Sequence, residues 1–204
     1  ENLEKGFKDK RVLVTGHTGF KGSWLTLWLV RLGAKVIGLS DDVPTTPSNF
    51  EVNNISKIIE DNRVDIRNYD LVSNIVNSAN PDFVFHLAAQ SLVRESYDQP
   101  LKTFEINAMG TANILEALIG RDKKVTVVMI TSDKAYDNVE WVWGYKETDR
   151  LGGKDPYSAS KGMAELVIKT YFESYIKDKT DKITLGIARA GNVIGGGDWA
   201  KDRI

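Results

Sequence analysis

No cysteine occurs among the 204 residues, which excludes a disulfide scaffold, thiolate catalysis and a cysteine-ligated zinc site in this chain. Histidine is nearly absent as well. His17 and His86 are the only two, and they speak against a histidine-rich metal site. Long hydrophobic runs are missing: the longest strongly apolar stretch, Trp24 to Val30, is too short to cross a bilayer and is bracketed by Lys21 and Arg31. An excess of charge is missing too. Twenty-seven Lys/Arg against 28 Asp/Glu leave a net charge of −1, so there is no bulk electrostatic case for nucleic acid or an anionic membrane. No signal-peptide pattern opens the chain, whose first residue is Glu1 rather than Met, and a cytoplasmic location is the expectation.

What is present is an ordinary soluble composition, 42% hydrophobic and 27% charged, with room for one core. Short Val/Ile-rich runs at Val12–Thr15, Lys35–Leu39, Arg63–Ile66, Phe83–His86, Val125–Ile130 and Ile183–Ala188 read as strands buried on both faces. Helical stretches separate them: Lys21–Leu32, a short one near Ile55–Ile59, Asn68–Ser78, Pro100–Ile119 and Pro156–Lys177. The alternation predicts an α/β fold, a doubly wound parallel sheet of the Rossmann type. Two long irregular stretches, Asp41–Asn53 and Ser132–Asp155, read as functional loops. After the last strand come Gly195-Gly196-Gly197 and Asp198-Trp199, with no material for a second lobe.

The first strand runs into a helix through Thr15-Gly16-His17-Thr18-Gly19-Phe20-Lys21-Gly22. Glycines at Gly16, Gly19 and Gly22 allow an unusual backbone angle, close approach of a diphosphate and close packing of helix on sheet. The helix N-terminus adds free N–H groups and about half a positive charge. Asp41, 19 residues after Gly22, stands where a carboxylate accepts from the adenosine ribose hydroxyls, which favours NAD over NADP; Asp42 competes for the role. The G-x-x-G-x-x-G spacing, one residue longer than the ordinary dinucleotide fingerprint, resembles the extended branch of the short-chain dehydrogenase/reductase superfamily, which acts largely on nucleotide-linked sugars.

That resemblance implies a Tyr-x-x-x-Lys pair on a later helix and a hydroxyl at the end of the preceding strand. Tyr157 and Lys161 share a helix face at i,i+4, and the strand before them ends in Thr131-Ser132. A free tyrosine has a pKa of about 10, so ionising it at neutrality takes about 4 kcal/mol. One ammonium roughly 4 Å away in a shielded site supplies a term on the order of 4 kcal/mol. Lys161 is thus the pKa-lowering partner and Ser132 the hydroxyl that positions substrate oxygen. Tyr175 and Lys179 match the same spacing, but only Tyr157 follows the helix-start signal Asp155-Pro156.

Five segments narrow the resemblance: Val14–Trp24, His86–Gln90, Thr131–Tyr136, Asp155–Lys161 and Arg189–Trp199. Together they resemble the CDP-glucose 4,6-dehydratase family. The resemblance implies an internal redox reaction on CDP-glucose: oxidation at C4, loss of water across C5 and C6, and hydride return to C6, with NAD regenerated each turnover. It makes Tyr157 the base at the 4-hydroxyl and Asp133 the proton donor to the leaving hydroxyl. Lys134 is either the base at C5, which requires a neutral amine, or an anchor for an anionic group. Asp65 and Ile66 become the adenine-contacting pair, and Leu87, Ala88 and Ala89 lie beside the cofactor. Asn192 and Arg94 become substrate contacts, and His17, inside the turn, crowds the diphosphate. His86 reads as a satisfied core histidine. The family also implies a homodimer through a four-helix bundle built from the two long helices. It divides the chain into an NAD-binding domain over 1–190 and the start of a substrate-binding part over 191–204, so that these residues alone are expected to bind NAD better than substrate and to turn over poorly or not at all. Two rival readings stand beside this one: a nucleotide-sugar 4-epimerase, which has no use for an acid at C6, and a catalytically silent NAD-binding fragment.

Overall fold

The computed structural model describes residues 2–179 and 181–201. Six strands form one parallel sheet: β1 (Arg11–Thr15), β2 (Lys35–Ser40), β3 (Glu60–Arg63), β4 (Phe83–His86), β5 (Val125–Ser132) and β6 (Ile183–Ala190). Their spatial order is β3-β2-β1-β4-β5-β6. The chain winds outward in one direction from β1, then returns and winds outward in the other. The reversal leaves a crevice past the C-terminal ends of β1 and β4, where open α/β sheets bind ligands.

The helices are α1 (Asn2–Phe7), α2 (Phe20–Arg31), α3 (Asn49–Val52), α4 (Tyr69–Ala79), α5 (Val93–Asp98), α6 (Pro100–Phe104), α7 (Gly110–Leu118) and α8 (Pro156–Tyr171). On one face of the sheet, Leu13, Val84, Val127 and Met129 pack against Val72 and Val76 of α4, Ile114 and Leu118 of α7 and Ile168 of α8. On the other, Val12, Val14 and Val36 pack against Leu29 of α2, with Phe7 of α1 beside them. Burial on both faces explains why these strands read as unbroken apolar runs. Strand β6 ends at Ala190, and residues 202–204 of the segment expected to open the substrate-binding part lie outside the described residues.

Two elements differ from the sequence reading. The third strand is Glu60–Arg63, not Arg63–Ile66. It lies at the sheet's edge and pairs only with β2, so its polar side chains need no covering layer. The apolar residues that suggested a strand follow it, and buried Ile66 packs under Gly110. The helix expected over Pro100–Ile119 is preceded by α5 and interrupted by a π-helical turn, Glu105–Met109, between α6 and α7.

Helix α8 is fastened to the end of the sheet by one buried ion pair. Glu165 is 2% exposed. It accepts two hydrogen bonds of 2.7 Å from the Arg189 guanidinium on β6 and one of 2.6 Å from Thr131 Oγ1 on β5. The Arg189 guanidinium also covers the Tyr136 ring at 4.6 Å. Removing one partner leaves the other charge buried alone, so Arg189→Met is expected to cost about 3–5 kcal/mol in urea unfolding. Glu165→Leu combined with Arg189→Met is expected to recover much of that loss.

Candidate active site

The turn between β1 and α2 shows three separate uses of glycine. Gly16 has φ of +71°, and a Cβ there would lie 2.7 Å from the Ala88 nitrogen past the end of β4. A Cβ on Gly22 would lie 2.0 Å from the Gly16 carbonyl oxygen, so only glycine lets α2 start this close to the turn. Gly19, the N-cap of α2, has an ordinary φ of −72°, and a Cβ there would meet only the Gly16 oxygen at 3.4 Å. The fold does not require this third glycine. Its bare face opens onto the crevice together with Thr18, Phe20 and Lys21.

The crevice is a groove of about 850 Å³, a size typical of ligand sites. Gly16, Gly19, Phe20, Gly22, Asp41, Asp65, Ile66, Leu87, Ala88 and Ala89 line it, as do Ser132, Asp133, Lys134, Tyr157, Lys161 and Asn192. Two of the expected residues stand apart. Arg94 is exposed on α5 and is not part of the groove wall. His17 corrects the expectation that its ring crowds a diphosphate, because the ring turns away from the groove and is fully buried. Its Nε2 lies 2.8 Å from Asp61 Oδ1 on β3, Phe50 meets it edge-on, and it covers Gly38 of β2 so closely that a Cβ there would come within 2.5 Å. Burial lowers the His17 pKa more than the Asp61 carboxylate raises it.

Tyr157 and Lys161 occupy the first turns of α8. Asp155 caps the helix, its side chain accepting from Ser158 N–H at 2.9 Å, and Pro156 takes the position where a missing N–H costs nothing. Both functional side chains are buried, and Lys161 Nζ lies 5.8 Å from the Tyr157 ring centre. Burial, with the Lys21 charge adding to it, pushes the Lys161 pKa down to about 8. Ser132, at the end of β5, donates to Asp133 Oδ1 at 3.1 Å and accepts from Lys134 N–H at 3.2 Å. Asp133 and Lys134 are exposed at the rim.

The two acids after β2 are distinguished by their partners. Asp42 Oδ1 accepts from Val43 N–H at 2.7 Å, while the Asp41 carboxylate has no hydrogen-bond partner among the described residues. Asp65 is held by Arg67, whose hydrogen bonds lower its pKa.

Three supporting residues escaped the sequence reading. Asn107, buried in the π turn, accepts from Gln90 N–H at 2.8 Å and donates to the Gln90 carbonyl and to Ser160 Oγ. It thereby ties the loop after β4 to α8. Ser96 Oγ accepts from Tyr157 N–H at 3.1 Å. Gln90 itself donates to Thr103 Oγ1. A polar residue in mid-helix was the only signal for Asn107. His86 is the satisfied core histidine expected. Thr111 Oγ1 gives its proton to the Asn107 carbonyl and so accepts from His86 Nε2–H, while Nδ1 accepts from Thr15 Oγ1. Burial pushes its pKa down to about 3, so the ring is neutral.

Two expected outcomes follow from this geometry. Gly22→Ala should cost more than about 3 kcal/mol in urea unfolding because backbone must move, whereas Gly19→Ala should stay within about 1 kcal/mol of the parent. The lowered Lys161 pKa means that the unfolded chain binds the proton more tightly between about pH 8 and 10.5, so stability rises with pH across that window. Below pH 8 the full penalty, on the order of 3 kcal/mol, is present. Lys161→Met is therefore expected to raise the melting temperature of the ligand-free chain at pH 7 by several degrees, measured by calorimetry.

Residues 13–184 match the family model described as GDP-mannose 4,6 dehydratase. Over 99% of its length the chain is 50% identical to CDP-glucose 4,6-dehydratase of Salmonella typhimurium, of which it covers 57%. Among solved structures, an epimerase, Mth375, from Methanothermobacter thermautotrophicus superposes with a TM-score of 0.81 at 28% identity, over 97% of this chain and 56% of that one. The dTDP-glucose 4,6-dehydratase DesIV from Streptomyces venezuelae, a double mutant with NAD and DAU bound, superposes with a TM-score of 0.77 at 25% identity, over 92% of this chain and 57% of that one. The chain spans about half the length of the curated relatives it matches. Since the family match runs from β1 into β6 and takes in the glycine turn, the Ser132 strand end and the Tyr157–Lys161 pair, the chain belongs to the GDP-mannose 4,6-dehydratase family.

Proposed function

We propose that this chain is the dinucleotide-binding part of a CDP-glucose 4,6-dehydratase, a hydro-lyase with NAD as its resident cofactor. The observation that carries the reading is the buried Tyr157–Lys161 pair in a groove whose other wall is the glycine turn, with Asp133 and Lys134 at its rim. The residues fit NAD: Gly19 offers a bare surface at a helix N-terminus to a diphosphate, and Asp41 offers an uncommitted carboxylate to ribose hydroxyls. The 50% identity to the Salmonella enzyme supports CDP-glucose as the nucleotide sugar.

In this reading NAD would supply the hydride acceptor, whose ring is positively charged only while oxidised, and then the hydride donor. The chain's own residues handle protons. Tyr157 takes the proton of the sugar 4-hydroxyl, and the Lys161 ammonium stabilises the phenolate in a site where water cannot screen it. Ser132 holds the same sugar oxygen. Asp133 gives a proton to the departing 6-hydroxyl. Lys134 beside it is either the base that takes the C5 proton, as its neutral amine, or an anchor for an anionic group. Residues beyond Ala190 open the substrate-binding part, with Asn192 as a sugar contact.

Exposed Tyr97, Leu101, Met109 and Met163 on the outer faces of α5–α8 support a homodimer through a four-helix bundle. Leu101, 76% exposed, gains nothing inside one subunit. Leu101→Glu is expected to yield monomer in sedimentation velocity, with the melting temperature of the protomer held.

The activity is tested by incubating the chain with NAD and CDP-glucose and following the absorbance of the keto product in base. Because these residues hold only the start of the substrate-binding part, the expected outcome is slow product formation at most, which Tyr157→Phe abolishes. Asp133→Asn should lower dehydration while C4 oxidation persists, seen as accumulated reduced nicotinamide. Epimerised CDP-sugar with no keto product would make the chain an epimerase instead, and full activity in Tyr157→Phe would overturn the mechanism.

A further inference from the structure

We infer that residues 191–200 act as a strap across the groove that slows departure of the cofactor, and that Trp24 is the residue that fastens it. The inference rests on the reading of the groove as an NAD site and goes beyond it. The segment leaves β6 on the far side of the crevice from β2, yet it ends against α2 and α3, on the near side. Asn192, Val193, Gly197, Asp198 and Trp199 line the same groove as Gly19, Asp41 and Lys161. The strap therefore passes over the switch point between β1 and β4.

Three contacts hold its landing. The Trp24 indole N–H on α2 donates to the Gly196 carbonyl at 2.9 Å, across 172 residues of sequence. Gly195 lies against Phe20 at the start of α2, where a Cβ would come to 3.3 Å from the ring. Gly197 has φ of +88°, and a Cβ there would lie 3.0 Å from the Asn49 side chain. Asn49 is not free to yield, because it donates to Ser23 Oγ at 2.7 Å and accepts from Asn53 Nδ2 at 2.8 Å. Two of the three consecutive glycines thus have a physical reason, Gly195 against Phe20 and Gly197 against Asn49, while a side chain at Gly196 would meet open space.

Trp24 is 50% exposed, so core packing does not account for an indole at this position. Its polar edge is what the fold uses. A reaction that removes hydride from a sugar and returns it to the same sugar needs its cofactor to stay for the whole turnover. A strap anchored over the diphosphate end serves that need without adding any group to the chemistry.

The test is the dissociation rate of NADH from the 204-residue chain, read by loss of nicotinamide fluorescence on mixing with excess NAD. Trp24→Phe keeps the ring and removes the donor. It is expected to speed dissociation about fivefold, the effect of one hydrogen bond, with the melting temperature of the ligand-free chain unchanged. Gly197→Ala, which cannot lie in the same conformation, is expected to do the same by a different route. Trp28→Phe, exposed one turn further along α2, is expected to leave the rate unchanged. A parental rate in both Trp24→Phe and Gly197→Ala overturns the strap and leaves the NAD site standing. A parent chain that binds no NADH overturns the cofactor reading and the strap with it.

Discussion

Holding the Lys161 ammonium away from water is the constraint around which the site is arranged. Burial and the neighbouring Lys21 charge both work against the charged form. The penalty is carried by the packing of α8, which is fixed at its start by the Asp155 cap and further along by the Glu165–Arg189 pair. An ammonium so poorly solvated is also a strong attractor for any anion formed beside it, and the Tyr157 ring centre lies 5.8 Å from it.

The two halves of the sheet contribute different things to the groove. The β1–β2 side presents backbone, through the glycine turn and the helix N-terminus, and one uncommitted acid, Asp41. The β5 and α8 side presents side chains, Ser132, Asp133, Tyr157 and Lys161. Between them the loop after β4 is held by Asn107 and by the Thr15–His86–Thr111 chain of hydrogen bonds. That chain commits the Ala88 N–H to Thr15 Oγ1, so this stretch of the floor offers its methyl groups to a ligand. A flat ring can rest there, held by shape.

Much of this arrangement was legible in the sequence because it is local. The glycine spacing, the strand before it and the helix after it lie within twenty residues, and Asp155-Pro156 marks the start of α8 without reference to anything distant. What was missed depends on tertiary neighbours. The third strand could not be placed because an edge strand is free to be polar, and the apolar residues after it cover a different surface. His17 was placed on the wrong side of its turn because its partners, Gly38 and Asp61, come from two other strands. Asn107 looked like any polar residue in a helix until the π turn aimed it at Gln90 and Ser160. Asp41 and Asp42 differ by a single hydrogen bond, from Val43 N–H to Asp42, that spacing alone does not reveal.

The imidazole lying against bare backbone at position 38 carries an evolutionary consequence. Any lineage descending from this sequence can acquire a methyl group at Gly38 only after the ring at His17 has been exchanged for something smaller, since the reverse order passes through a protein whose turn cannot seat. The two sites are therefore epistatic in one direction.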